Sequence, residues 1–553
     1  MRSLSPAPLS IAAIAAIVAA LGLGGCGGSG GGASTASGPA SATVLDGSAP
    51  DSLDPQVGIT TTSMEATWNV YLGLYTYARA NGSAGTHLIP ALAAELPQVS
   101  DKDTLYTTTL RKGLHFSNGA PVKASDFTYA IERAIRLNWG DKSFLTEHIV
   151  GAEAFDEHKA STISGIQTDD GSGKISIKLT SPYGAFLNVL AFPAAGLVPS
   201  NTPMKAQPND PPPGVGPYEI EHVVPGKSFE EAINPHWAKE AIPGIPTPQL
   251  TIDVKVQSNV GTQADEVFDG EADLYDWNTP LPPAALQQAK REAEDRYSVE
   301  SVAQVSFFFL NVSKPPFNNL QARQAVVEAL NRPAYERLAS GYLKPGCYLL
   351  PPGLIGHPSS PCPYGDPEST GDVAKAKELV QQSGTAGEEV TVWGPAETPH
   401  REFVDNFAQM LDAIGYKAKE KVISPSTYYG AVTNVKTGAQ VGFAEYTQDF
   451  PNPVDFYQLI DGDFIQPEGN HDLSLARDPV IDNGVKELAQ LPASELPQAA
   501  SKWEALERHA AQQAYVAVIG YQEAPKLTSE RIDFGGLVFS PVYGPDWTTL
   551  KLK

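Results

Sequence analysis

Apolar and polar positions change period repeatedly along the chain, and each change predicts an element. Val44-Leu45-Asp46 opens the first apolar segment of the body. Leu105, Tyr106, Thr107, Thr108, Thr109 and Leu110 are β-branched, aromatic or aliphatic without a break, which predicts an extended strand. Arg111-Lys112-Gly113 and Ser117-Asn118-Gly119 follow as turns, Asn-Gly tolerating the positive φ of a tight reversal. Phe127, Ala130, Ile131, Ala134 and Ile135 then recur at helical spacing, behind Ser125 or Asp126 as the predicted cap. Asp169-Asp170-Gly171-Ser172-Gly173 reads as a hairpin turn before the alternating Ile175-Ser176-Ile177-Lys178-Leu179. Further on, Pro315-Pro316 breaks a strand, and Leu320, Ala325, Val326 and Leu330 form the buried face of a helix. Val390 to Trp393 is a strand, and Phe403, Phe407, Met410, Leu411 and Ile414 line a helix that Gly415 ends. Ala517 to Tyr521 is a last apolar strand.

Bulk numbers bound the class. At 553 residues the chain exceeds what one core buries, so at least two lobes are predicted. An apolar fraction of 42% and a mean hydropathy of -0.20 are those of a soluble globular protein, not a polytopic or disordered one. The formal charge of -24 disfavours nucleic acid, which needs clustered cations, and weakly favours cationic ligands. Arg2 precedes an apolar run from Leu9 to Leu23, short for a membrane span and right for a signal peptide, which we place at residues 1–25. The run ends at Leu23-Gly24-Gly25-Cys26, which resembles a bacterial lipobox whose cysteine is acylated. Residues 26–43 read as the lipidated Cys26 and a flexible Gly/Ser tether. Gly27-Gly28-Ser29-Gly30-Gly31 spells a nucleophile elbow, but no strand precedes it. Cys347 and Cys362 enclose a Pro/Gly-rich loop in an exported chain and predict a disulfide; a metal pair is the alternative, with the lone His357 beside it.

Ser52-Leu53-Asp54-Pro55, Glu65 to Tyr77, Leu88 to Glu95, Leu110 to Ile135, Gly214 to Tyr218, Asp265 to Trp277, Phe307 to Arg332 and Tyr446 to Pro453 occur in that order. Together these phrases resemble the family 5 extracellular solute-binding proteins, the peptide- and nickel-binding components of ABC importers, and most closely the oligopeptide-binding members. The resemblance covers nearly all of residues 44 to 540. It implies an α/β fold, bilobal, of the periplasmic-binding-protein type II (cluster C), with an extra subdomain in the first lobe. Residues 44–62, 182–300 and 525–553 would form lobe I, residues 63–181 the extra subdomain, and residues 301–524 lobe II.

The resemblance also implies a non-catalytic, lipid-anchored receptor that closes about a hinge on an oligopeptide and delivers it to an ABC permease and ATPase complex. It would be a monomer on the outer face of the cytoplasmic membrane, without cofactor, metal or nucleic-acid partner, touching the membrane only through its lipid. Asp449 would pair with the ligand's α-ammonium, with Tyr446 as the neighbouring aromatic; capping the turn before Pro451 is the alternative role for Asp449. Trp277, Trp393 and Tyr521 are candidate cleft walls, with core packing as the alternative for each. Phe443 stands where an arginine is expected in oligopeptide binders, which removes a partner for the ligand's carboxylate. A sugar, opine or metal chelate is the other ligand reading within the class, and a signalling receptor or chaperone another use of the fold. The ten histidines include none in a catalytic phrase, which argues against a secreted hydrolase. A calcium loop at Asp169-Asp170 lacks spaced acidic ligands, and a phosphate loop at Gly214-Val215-Gly216 lacks its lysine and helix.

Overall fold

The computed structural model describes residues 40–239 and 242–553. The expected signal peptide, Cys26 and most of the tether lie outside the described residues. The first strand, Ser41–Asp46, begins inside the segment expected to be tether, so residues 41–43 are sheet.

Two principal sheets organise the chain. In the first, Ser41–Asp46 runs parallel to Thr251–Val256, which continues antiparallel to Ser228–Ile233 and then Tyr218–Val224. The second has six strands in the order Leu343–Pro345, Val516–Leu527, Tyr297–Leu310, Val441–Thr447, Glu389–Pro395 and Lys417–Ile423. Its last two strands are parallel, joined by the helix His400–Ile414 as a crossover. That helix buries Phe403, Phe407, Leu411 and Ile414 as expected, while Met410 is only partly buried. Phe407 stacks on Phe308 of the central strand with ring centroids 3.8 Å apart. The helix Leu320–Glu328 buries Ala325 and Val326, but Leu320 is 37% exposed and not part of the buried face: it is the first helical residue, ahead of the turn that meets the sheet.

Tyr297–Leu310 and Val516–Leu527 run from the second sheet to the core beside the first strand. Their ladder slips between the pairs at Ser301 and Val305. Leu527 and Tyr297 at one end pack with Leu45 and Tyr275, whereas Phe308, Leu310, Ala517 and Ile519 at the other belong to the core of the second sheet.

A third, four-stranded sheet contains the strands Leu105–Thr109 and Lys174–Lys178 paired antiparallel, and the helix Ala124–Arg136 lies beside it. This helix buries the five apolar residues read from its period. Its cap differs from expectation: Lys123 holds the cap position, and Asp126 reaches back to accept from the Lys123 amide at 2.8 Å. Ser125 is drawn elsewhere, its amide and hydroxyl both donating to Asp170. Near the helix end, Arg133 satisfies all five of its N–H donors: two on Asp54, the others on Gln56 and the carbonyls of Pro203 and Lys205. The Leu53-Asp54-Pro55 phrase and the helix phrase are thus two halves of one buried ion pair.

Cys347 and Cys362 form a disulfide with Cα atoms 6.0 Å apart. His357 is engaged with the Leu350 carbonyl at 2.7 Å inside the same loop. Among the described residues no helix is long and apolar enough to cross a membrane.

Candidate ligand-binding cleft

The Val441–Thr447 strand of the second sheet leads to Asp449, which lies beside Ile59, Thr61 and Met64. Gln448 continues the ladder by donating its amide to the Ala303 carbonyl at 2.8 Å. Its side-chain Nε2 donates to the Pro541 carbonyl at 2.8 Å, a tie to the C-terminal segment. Asn452 then caps the short helix Pro453–Tyr457, which places Asp455 in the first turn. Asp455 Oδ2 accepts from the amides of Asp449 (2.9 Å) and Phe450 (3.4 Å), so the loop carrying Asp449 is held in shape. Phe450 seals it from outside, edge-on to Phe144 at 5.4 Å and Phe192 at 5.8 Å.

Tyr446 Oη lies 2.7 Å from Asp449 Oδ2 and 2.9 Å from Asp455 Oδ1, and accepts from Gln458 Nε2 at 2.6 Å. One hydroxyl proton cannot serve two carboxylates. The arrangement is satisfied when Asp455 keeps a proton and donates to Tyr446, which donates to Asp449. The electrostatics agree: burial, then the charge of Asp449, pushes the Asp455 carboxyl well up. Asp141 is raised for the same two reasons. Burial pushes Asp449 up to about 6, with the Tyr446 hydrogen bond opposing. Asp449 is therefore a carboxylate at neutral pH, with a single side-chain hydrogen bond and no cation paired with it among the described residues. It faces a cavity of about 20 Å³ lined by Ile59, Thr61, Met64, Val542 and Tyr543, room for about one water.

The other expected wall residues are placed apart from this pair. Trp277 donates Nε1 to Glu65 at 2.8 Å and meets Phe539 edge-on. Trp393 is buried with Lys421 Nζ 3.8 Å from its ring centroid. Tyr521 donates to the Tyr348 carbonyl at 3.0 Å and accepts from the Tyr348 amide at 3.2 Å, fastening the disulfide loop to the sheet.

Two larger cavities are present. One, about 300 Å³, lies between the third sheet's segment and the second lobe, lined by Glu147, His148, Tyr183, Asp461, Phe464 and Lys486 among others; His148 stacks on Tyr183 at 3.7 Å, and burial lowers its pKa to about 4. The other, about 290 Å³, is lined beside the first sheet by Asp276 and Thr279 and beside the second by Gln304, Glu397, His400 and Glu445. Of these only Asp276 lies in a recognisable sequence phrase, and no local pattern marks any of them as a site residue; Asp455 alone carries a local signal, as an acidic residue after Pro453 at a helix start. For metals, the one group of three potential ligands found among the described residues is Glu221, His222 and Glu230, on a solvent-facing hairpin.

The sequence profile described as "Bacterial extracellular solute-binding proteins, family 5 Middle" matches residues 87–466. The chain is 29% identical over 380 residues to the glutathione-binding protein GsiB of Salmonella choleraesuis (strain SC-B67), an alignment covering 66% of each, just under two thirds of that relative's length. Among solved structures it resembles the clavulanic acid biosynthesis oligopeptide binding protein 2 with a TM-score of 0.84 at 22% identity, covering 93% of this chain and 96% of that one. Haemophilus influenzae OppA in complex with RPPGFSPFR gives a TM-score of 0.75 at 18% identity, covering 93% and 99%. These structural likenesses establish the fold as the bilobal type II arrangement of periplasmic binding proteins.

Proposed function

The chain belongs to the bacterial extracellular solute-binding proteins of family 5, and from that membership we propose that it is the substrate-binding component of an ABC importer, capturing peptides by their free amino end. Members of this family bind solutes rather than transform them. The observation that carries the peptide reading is Asp449, a buried carboxylate oriented by Tyr446 and Asp455 and without a paired cation among the described residues. Burial makes an ammonium partner worth more there than in water, about 1.5–3 kcal/mol for a charge-assisted hydrogen bond.

The paired strands Tyr297–Leu310 and Val516–Leu527, with the slip at Ser301 to Val305, are the hinge of this proposal. Ligand contacts with both lobes favour the closed state, which is the form offered to the permease. Cys26, acylated, would hold the monomer on the outer face of the membrane. The relatives called glutathione-binding bring glutathione, itself a peptide with a free amino end, into the same reading.

Calorimetric titration of the purified protein tests it, with free-amino peptides, their N-acetyl counterparts and glutathione as ligands. Free-amino ligands should bind, and acetylation or Asp449→Asn should each weaken binding about tenfold or more. Equal binding of acetylated and free peptides would remove Asp449 from the role and the amino-end reading with it.

A further inference from the structure

The 290 Å³ cavity has walls from both lobes, and its charges do not balance. From the second lobe come Glu445 and Glu397, with one cation, His400, between them: Nδ1 lies 3.2 Å from Glu397 and Nε2 3.4 Å from Glu445. Burial alone would strip the His400 proton, but the two carboxylates outweigh it and raise its pKa to about 10. Burial likewise pushes Glu445 up, and the imidazolium overcomes it, so the carboxylate stays ionised. Both imidazole nitrogens are therefore occupied. From the first lobe comes Asp276, 5% exposed, its carboxylate accepting from the Gly47 and Asn278 amides and the Thr279 hydroxyl. Behind it stand two further buried carboxyls, Asp46 and Glu65, each raised by burial first and by neighbouring carboxylates after that.

A second, independent observation points to a ligand. Gln304 lines the cavity, is 5% exposed, and its Oε1 accepts no hydrogen bond. A buried acceptor left unpaired is costly, and what it lacks is a donor. Carboxylates from two lobes, one neutralised cation and an orphaned acceptor specify a group that is positively charged and rich in N–H.

We propose that this cavity is a second cation subsite, which takes the guanidinium or ammonium of a basic side chain on the bound peptide. The assignment rests on the peptide reading above. Glu445 lies in the strand Val441–Thr447 and Asp449 in the bend just after it, four residues on and so at most about 13 Å along the chain. A basic side chain two to four residues behind the captured amino end spans that distance. Because the carboxylates sit on opposing lobes, the side chain's charge also offsets the repulsion that closure creates between the walls. The ligand class is then a peptide with two cations, one at its amino end and one on an arginine or lysine.

Alanine-based pentapeptides carrying one arginine, or its neutral isostere citrulline, at position 2, 3 or 4 test this by calorimetry on the purified protein. At one position or more, arginine should bind about tenfold or more tighter than citrulline, the scale of one charge-assisted hydrogen bond. Glu445→Gln and, separately, Gln304→Met should bring that ratio to about twofold or less. Ratios near one at all three positions, with free-amino peptides still discriminated from acetylated ones, would overturn the subsite and leave the Asp449 reading intact. A wild-type ratio surviving both substitutions would also overturn it, because the discrimination would then lie elsewhere. If no free-amino peptide binds, the parent reading falls and this one falls with it.

Discussion

Replacing Asp54 by asparagine should loosen the helix Ala124–Arg136 from the loop that follows the first strand. Both side chains of the Asp54–Arg133 pair are fully buried, with the closer contact at 2.6 Å. The pair is bidentate, and Asp54 also accepts from the Gln56 amide at 3.2 Å and the Gln207 amide at 2.9 Å. An asparagine side chain there would keep the shape and roughly half the acceptors while leaving a guanidinium charge buried and uncompensated. Breaking a buried pair from one side costs about 3–5 kcal/mol, against about 0–1 kcal/mol for an exposed pair. Hydrogen exchange of the amides in the helix Ala124–Arg136 reads this locally, without needing a two-state transition of the whole chain. Their opening free energy should fall by about 3–5 kcal/mol in Asp54→Asn. Arg133→Met should do comparable damage, and the double variant should lose less than the sum, because the second change removes the stranded charge. A loss below about 1 kcal/mol, or strict additivity, would refute the reasoning.

Two further outcomes are expected. Reduction of Cys347–Cys362, which closes a loop with a sequence separation of 15, should lower stability by about 3 kcal/mol in denaturant titrations with and without reductant; no change would mean the Tyr348–Tyr521 hydrogen bonds hold the loop alone. Peptide affinity should fall about tenfold per pH unit below about 6: the free Asp449 carboxyl, raised to about 6 by burial, must be ionised to hold an ammonium, so protons compete with ligand only as pH drops through that value. Titrations from pH 7.5 to 4.5 should show this slope in the wild type and not in Asp449→Asn, and a flat wild-type profile would deny Asp449 the contact.

How far the sequence alone could go depends on the range of its signals. Period and turn chemistry act within about one element, and on that scale they worked: the strand Leu105–Thr109, the buried face of the helix Ala124–Arg136 and the helix His400–Ile414 ended by Gly415 all appear. The cap of Ala124–Arg136 failed because Asp170, on a hairpin 45 residues away, recruits Ser125. Longer ranges left no trace in composition. The indole of Trp277 is held by Glu65, 212 positions earlier. Tyr521 is fixed by Tyr348 across 173 positions. The acidic cavity assembles Asp276, Gln304, Glu397 and Glu445 only when the sheets are built, since no two of them share a local motif. The surroundings of Asp449 are legible for the opposite reason: the strand that leads to it, its aromatic neighbour and the helix that braces it are contiguous in sequence.

The surroundings of His400 bear on what the far end of a ligand meets. Its ring stacks on Phe443 with centroids 4.7 Å apart and planes 27° apart, so one face is covered by an apolar ring that is itself buried. Its two nitrogens face Glu397 and Glu445. A histidine in this state is charged but has no donor to offer, so it cannot anchor a ligand carboxylate. A carboxylate entering the cavity would also meet Glu397, Glu445 and Asp276. Phe443, where an arginine would have supplied the missing positive charge, completes the inversion. Like charges then face each other when the lobes approach, Asp276 on one wall and Glu445 on the other, and an empty or anion-filled cavity opposes closure. A ligand can shift a hinge only by its differential affinity for the closed state, and in the proposed closure that difference is largest for a group that neutralises both walls at once. On the proposed reading, ligand selection is an electrostatic condition on closing, set by residues on both walls of the cavity, in addition to the capture of an amino end at Asp449.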